Sequence, residues 1–291
     1  MARTMLRPLV VMLTGLLVAL GLQVVAATPA AAIPGLQNVM VTTVADSSTF
    51  KQVIANCPAG KRVIGGGGRL SLATGEVAIT YLAPMTTATA YEARAYEDFD
   101  GFAGVWSLTV YAICAFTPAG YEIRTAASPM ASPATASATA TCTAGRVVLG
   151  TGGTVFPGRG VVLMTGIVPS PVVGPTSVTT LGAEVPPGFA GTWNVQSWAI
   201  CASPVPGHSV SVTTGVIDST SPKTQVANCP GGTFVHGVGF QFGGVGVGEI
   251  FLNLVFPNPM PVGTGVPVVA SEDQTGVAGN WGIRTYAVCA A

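Results

Sequence analysis

Gly101-Phe102-Ala103-Gly104-Val105-Trp106, Gly188-Phe189-Ala190-Gly191-Thr192-Trp193 and Gly276-Val277-Ala278-Gly279-Asn280-Trp281 are one phrase written three times. Eight residues beyond each Trp stands a cysteine: Cys114, Cys201 and Cys289. The phrases lie 87 and 88 residues apart. A fixed period of this kind divides a chain into copies of one structural unit that bury their apolar faces together. Positions that return in every copy read as frame, because a catalytic group need occur only once.

The rest of each copy is built of short alternating strands. The first are Val39-Met-Val-Thr-Thr, Tyr121-Glu-Ile-Arg-Thr and His208-Ser-Val-Ser-Val. A strand ending in Cys-x-x-Gly follows: Cys57-Pro-Ala-Gly60, Cys142-Thr-Ala-Gly145 and Cys229-Pro-Gly-Gly232. Pro and Gly there are turn residues, Pro fixing φ and Gly accepting positive φ. Next comes Val-x-Gly-x-Gly, with Gly65 and Gly67, Gly150 and Gly152, Gly237 and Gly239. Alternate glycines bare one face of a strand and mark a close approach of another group. An aromatic ring lying over the bare backbone is expected, with the repeated Trp106, Trp193 and Trp281 as the candidates. Loop lengths vary around Ser71–Gly75, Pro157–Gly160 and Gly243–Gly248, whereas Pro84, Pro171 and Pro259 each stand 30 residues before the second cysteine. In the Trp-to-Cys strand, Trp106, Leu108, Ala112 and Cys114 share a face, and Tyr111, Trp198 and Tyr286 take the opposite one.

No long 3.6-residue periodicity occurs after the N-terminus, so the class is all-β: three homologous antiparallel repeats of about six strands each. Pro-Gly turns put the boundaries at 33–117, 118–205 and 206–291. Short connections require neighbouring repeats to touch. They pack compactly, either about a pseudo-threefold axis as a prism or propeller does, or as tandem small sandwiches.

Residues 1–32 read as an export signal. Arg3 and Arg7 precede an apolar run from Pro8 to Val25, and Ala30-Ala31-Ala32 offers the cleavage site. The expected product is secreted, with no stable membrane span after cleavage. Its six cysteines, two per repeat, read as disulfides in an oxidising compartment. The repeat selects one of the fifteen pairings that six cysteines allow: Cys57–Cys114, Cys142–Cys201 and Cys229–Cys289. Charged residues make up 8% of the chain, and the 12 basic and 12 acidic residues cancel. Without clustered Lys and Arg to neutralise phosphates, nucleic acid is excluded as a partner. So much apolar content also excludes disorder.

Cys57-Pro-Ala-Gly-Lys-Arg-Val-Ile-Gly-Gly-Gly, followed by Trp106-x-Leu and Tyr111-Ala-Ile-Cys114, resembles a module of secreted bacterial proteins of actinobacterial type, found singly or in tandem. The resemblance covers the chain after the leader three times over. It implies an extracellular β fold and carries no activity. Thr143 departs from it where the other copies have Pro, as do Thr233-Phe234 where repeat one has Lys61-Arg62.

Candidates for chemistry are few. His208 and His236 have no equivalents in the other copies and fall short of a zinc ligand set. Gly65–Gly68 lacks the Lys-Ser/Thr and helix of a phosphate loop. No Gly-x-Ser-x-Gly elbow occurs. Neither a catalytic residue, a cofactor nor a metal site is therefore assigned. Glu97, Glu184 and Glu272 each stand nine residues before a Trp. They read as acceptors for backbone or indole N–H, or as ligand contacts at three equivalent sites. Asp98 and Asp100 extend the first of them, Glu97-Asp-Phe-Asp-Gly, into a weak likeness of a Ca²⁺ loop. Repeat one alone carries Tyr91, Glu92, Arg94 and Tyr96, where repeats two and three have mostly aliphatic or small residues. Tyr, carboxylate and Arg together suit a sugar or peptide; the plainer reading is a charged edge strand that deters pairing.

The function expected is therefore that of a secreted, non-enzymatic surface, matrix or binding module. Its candidate ligand is a carbohydrate, and its candidate partners are cell-wall or extracellular glycans or proteins. The alternatives are a hydrolase with its site in the non-repeated residues of repeat one, and a structural spacer or assembly protein.

Overall fold

The computed structural model describes residues 33–73, 75–157 and 159–291. The expected export signal, residues 1–32, lies outside them. Repeat one supplies β1 (Gln37–Thr42), β2 (Phe50–Asn56), β3 (Lys61–Ser71), β4 (Val77–Pro84), β5 (Ala90–Glu97) and β6 (Ser107–Phe116). Repeat two supplies β7 (Glu122–Ala127), β8 (Thr135–Thr141), β9 (Val147–Phe156), β10 (Val162–Ser170), β11 (Ser177–Glu184) and β12 (Asn194–Ala202). Repeat three supplies β13 (Ser209–Thr214), β14 (Lys223–Asn228), β15 (Phe234–Gly244), β16 (Ile250–Val255), β17 (Gly265–Glu272) and β18 (Trp281–Ala290). The one helical turn among the described residues is the 3₁₀ segment Val247–Glu249, in the third variable loop.

The strands form three antiparallel six-stranded sheets, and every sheet is shared between two repeats. The orders are β1-β6-β3-β16-β17-β14, β2-β5-β4-β9-β12-β7 and β13-β18-β15-β10-β11-β8. Each repeat thus places its first, third and sixth strands in one sheet and its second, fourth and fifth in another. The scheme runs cyclically: repeat one pairs with three, two with one, three with two. Within one repeat the two half-sheets face each other as a sandwich. Each sheet stays open, with an edge strand at either end, so the whole is a three-sided prism and not a barrel.

The inter-repeat seams are short. They consist of Tyr81↔Thr154 and Leu82↔Gly153, of Gly166↔Gln241 and Ile167↔Phe240, and of Leu254↔Arg69 and Val255↔Gly68. What holds the repeats together besides these seams is the approach of bare backbone. A Cβ on Gly65 would stand 2.0 Å from the His236 carbonyl oxygen, one on Gly150 2.0 Å from that of Ile64, and one on Gly237 2.6 Å from that of Leu149. Ile64, Leu149 and His236 occupy the same place in their repeats, a β-bulge just before the glycine. All three are fully buried, so the pseudo-threefold axis runs where bulge carbonyls press on the next repeat's glycine. Gly67, Gly152 and Gly239 serve the adjoining contact, each receiving the fourth strand of the preceding repeat in the cycle.

This corrects the expected cover for the glycine face. The repeated tryptophans do not lie over it; each is fully buried within its own sandwich. The neighbouring-strand aromatics set across from Gly67, Gly152 and Gly239 are Tyr111, Trp198 and Tyr286, and on the other face of the first glycine strand the space a Gly66 side chain would need is filled by the ring of Tyr91. Its hydroxyl donates 2.9 Å to the Thr151 carbonyl of repeat two.

The three disulfides are Cys57–Cys114, Cys142–Cys201 and Cys229–Cys289, with Cα atoms 5.6, 5.8 and 5.6 Å apart. Each joins the end of a repeat's second strand to its sixth, and so ties together the two sheets to which that repeat contributes. They close loops of 57, 59 and 60 residues. Restricting such loops in the unfolded chain is worth about 4 kcal/mol each in the entropic account. The turn just after the first cysteine takes the expected form: Gly60, Gly145 and Gly232 have φ of 81°, 80° and 81°.

Candidate functional site

Nothing in the threefold frame distinguishes one sheet from another until the outer faces are compared. At each seam the sixth strand carries a large ring on its outer side. Tyr111 stacks on Phe256, with ring centroids 4.6 Å apart. Trp198 meets Tyr81 edge-on at 5.6 Å. Tyr286 instead donates its hydroxyl to the Gln241 side-chain oxygen at 3.2 Å.

The sheet shared by repeats one and two carries more. Register sets Arg94, Tyr81, Thr154 and Gln196 in one row across β5, β4, β9 and β12. Because β4 and β9 pair over two residues only, they part beyond that row. The gap is a groove of about 310 Å³. Tyr81, Arg94 and Tyr96 line one side; Thr154, Phe156, Arg159 and Gln196 line the other. Phe50 lies beside Tyr96, ring centroids 4.5 Å apart, and carries the aromatic line to the sheet edge.

Arg94 is held firmly. Its Nε donates 2.5 Å to Glu92 Oε1, which also accepts from the Gln52 amide at 2.5 Å. Its guanidinium lies over the Tyr81 ring, 4.6 Å from the centroid. Glu92 is 4% exposed, whereas the Arg94 side chain is 37% exposed. The buried carboxylate pins the inner edge of the guanidinium and leaves the outer edge to solvent. The hydrogen bond to Glu92 raises the Arg94 pKa further, so the charge is permanent.

The seven residues expected to bind fall into three groups. Arg94 and Tyr96 line the groove, and Glu92 supports Arg94 from below. Tyr91 turns inward to the seam between repeats. Glu97, Glu184 and Glu272 also face inward, accepting the indole N–H of Trp106, Trp193 and Trp281 at 3.1, 2.8 and 2.7 Å. Of the two readings of these glutamates, the indole acceptor describes their geometry, and the frame explains why the pair recurs.

Sequence reasoning missed Tyr81, Thr154, Phe156, Arg159 and Gln196. They come from another strand of repeat one and from repeat two, and nothing in the sequence marks which strands meet at a seam. It also missed the ion pairs Lys51–Asp46 and Lys223–Asp218. These lysines lie over the Trp106 and Trp281 rings at 4.8 and 5.0 Å.

Next to the groove, Asp98 and Asp100 gather with Glu76, their carboxylate oxygens within 4.8 Å of one another. Of the stretch Glu97-Asp-Phe-Asp-Gly, the alternate residues Asp98 and Asp100 thus join Glu76, while Glu97 is committed to the Trp106 indole. Burial, then the neighbouring Asp100 and Glu76, push the Asp98 carboxyl up to about 7. Asp98 and Asp100 line a separate depression that shares Tyr96 and Arg159 with the groove. No helix among the described residues is long and apolar enough to cross a membrane. Three formed disulfides are consistent with an extracellular protein.

No protein-family model matches the chain, and no curated protein matches it.

Proposed function

We propose that this is a secreted, non-enzymatic binding module of the cell surface or extracellular matrix, and that it holds a carbohydrate in the groove between repeats one and two. The observation that carries the reading is the composition of that groove. Tyr96 and Phe156 offer rings for the apolar faces of a sugar, Tyr81 backs the Arg94 guanidinium, and Arg94, Arg159 and Gln196 are the polar partners. A concave site with rings and a few fixed polar groups is the usual form of a small-ligand site. The export signal and the disulfides support placement outside the cell.

Glycan-array binding and cell-wall pull-down with the mature chain test the proposal. Retention that Tyr81→Ala and Tyr96→Ala abolish, with thermal stability kept, supports it. No retention on either matrix removes the carbohydrate clause and leaves the structural-spacer reading.

A hydrolase is the second reading. It is favoured by the Asp98 carboxyl held near neutrality beside Asp100, as a general acid beside a carboxylate is in glycoside hydrolysis. Against it, Tyr91, Arg94 and these acids do not share one deep pocket. Glycan hydrolysis that Asp98→Asn removes would establish this reading in place of the first.

A further inference from the structure

We propose that the groove between repeats one and two is specific for an acidic sugar, whose carboxylate is gripped between Arg94 and Arg159. This rests on the carbohydrate reading and narrows it to a ligand class.

The argument is one of charge and geometry. The chain is poor in charge, with 12 basic residues in 291. Two of those lie in this one groove, and no Asp or Glu is among the ten residues that line it. Neutral sugars need no guanidinium, and carboxylate–amide pairing would serve their hydroxyls as well. Arg94 is presented as a preorganised fork. Its Nε is taken by Glu92, its plane rests on Tyr81, and the side chain is still 37% exposed, with its two terminal nitrogens in no hydrogen bond among the described residues. That is the edge which pairs with a carboxylate through two parallel hydrogen bonds.

Arg159 stands on the opposite lip, in the variable loop of repeat two, and makes no ion pair among the described residues. Glu92 is already paired with Arg94, whereas Arg159 is exposed and in no ion pair among the described residues, which leaves its charge available to an anion on the Arg94 side. The acids Asp98 and Asp100 lie past Tyr96 and Arg159 in the neighbouring depression, which sets the anion's seat on the Arg94 side. Phe156, exposed in the same groove, offers a face for the ring that bears the carboxylate.

The test compares hexuronic-acid oligosaccharides with the same oligosaccharides after reduction of their carboxyl groups, by calorimetry with the mature disulfide-bonded protein. The acidic form should bind about tenfold or more tightly than the reduced form, the difference one charge-assisted hydrogen-bond pair makes. Arg159→Gln should abolish that preference, so that the acidic and the reduced forms bind equally. Arg94→Lys, which keeps the charge and loses the fork, should weaken acidic-sugar binding more than reduced-sugar binding, a split that a loss of stability alone would not produce. Equal binding of the two forms overturns the acidic specificity and leaves the carbohydrate reading standing. Binding of neither form, together with no hit on the glycan array, overturns both. A glutamate oligopeptide of equal charge that competes as well as the uronic acid overturns the sugar class.

Discussion

A tryptophan fully buried in a β-sandwich has one polar atom to satisfy, and here the fold answers it with a carboxylate in all three repeats. Glu97 Oε1 accepts from Trp106 Nε1, and the same pair recurs at Glu184–Trp193 and Glu272–Trp281. Trp106→Phe leaves Glu97 buried without its donor, an error that costs roughly 2–4 kcal/mol. Glu97→Gln keeps an acceptor and should cost about 1 kcal/mol. Urea unfolding of the two variants measures the difference, and equal losses would show that the ring and not the N–H matters. Two other residues set the pH response, in opposite directions. Burial is the main force that lowers His236 to about 4, from an ordinary 6.5; its Nε2 has no partner, and His208 adds to the effect. The unfolded chain therefore takes up a proton between pH 6.5 and 4 that the folded chain refuses, and stability falls as pH drops through that window. Asp98 does the reverse. Its folded carboxyl keeps a proton up to about pH 7 that the unfolded carboxyl loses near 4, so stability falls as pH rises from 4 to 7. His236→Leu, which places at the axis the residue repeat two has there, should reduce the acid-side loss and leave the part that burial of His208, also lowered, contributes. Asp98→Asn should remove the neutral-side loss. Unfolding free energies at pH 4.5, 6 and 7.5 for both variants separate the two contributions, and unchanged pH profiles in both would contradict these assignments.

At the level of the strand, the glycines decide how the repeats meet. A side chain at Gly150 would collide with the Ile64 carbonyl and with the Gly65 Cα at 2.9 Å, both backbone atoms that cannot swing aside. Gly150→Ala should therefore destabilise by about 3 kcal/mol or more, or prevent folding. Gly243→Ala lies at the far end of the next glycine strand, where an added Cβ meets nothing within 4 Å, and should stay within about 0.5 kcal/mol of wild type. Thermal melts of the two variants make the comparison; similar losses would remove the axial contact as the reason for the glycines. The sequence announced that something approaches this strand closely, through Val-x-Gly-x-Gly in every copy. It did not say what. The repeated tryptophan was the local answer, and it fails because the tryptophans are already committed to their own glutamates within each sandwich. The partner is backbone from another repeat, and a backbone carbonyl leaves no mark in a sequence. The groove was half legible for the same reason. Arg94 and Tyr96 stood out because repeat one departs from its copies there. Tyr81, Phe156 and Arg159 looked like ordinary strand and loop residues until two seam pairs placed them opposite β5.

For the whole molecule, the cyclic sharing of sheets means that no repeat is complete alone. The strand alternation, the period and the cysteine pairs foretold three six-stranded units and their disulfides. They left open whether those units stood as separate sandwiches, because pairing across repeats follows the same two-residue alternation as pairing within one. In the structure, removing repeat three strips β16 from β3 and β15 from β10, leaving two ladder edges unpaired. It also uncovers Gly65 where His236 had pressed, and frees the Val148 carbonyl that His208 Nε2 meets at 2.7 Å. Each disulfide stays within its own repeat, so cutting the chain between repeats breaks no covalent cross-link. Oxidised fragments 33–205 and 206–291 should therefore re-associate as a one-to-one complex with native-like stability. Each alone should expose edges and self-associate or lose structure, as unpaired edge strands do. Sedimentation analysis of the separate and mixed fragments reads this directly. Association should be abolished by Gly237→Ala, which sets a side chain 2.6 Å from the Leu149 carbonyl across the cut. Two fragments that each fold as stable monomers and ignore one another would mean that the repeats are beads, and that the shared sheets contribute little to holding them.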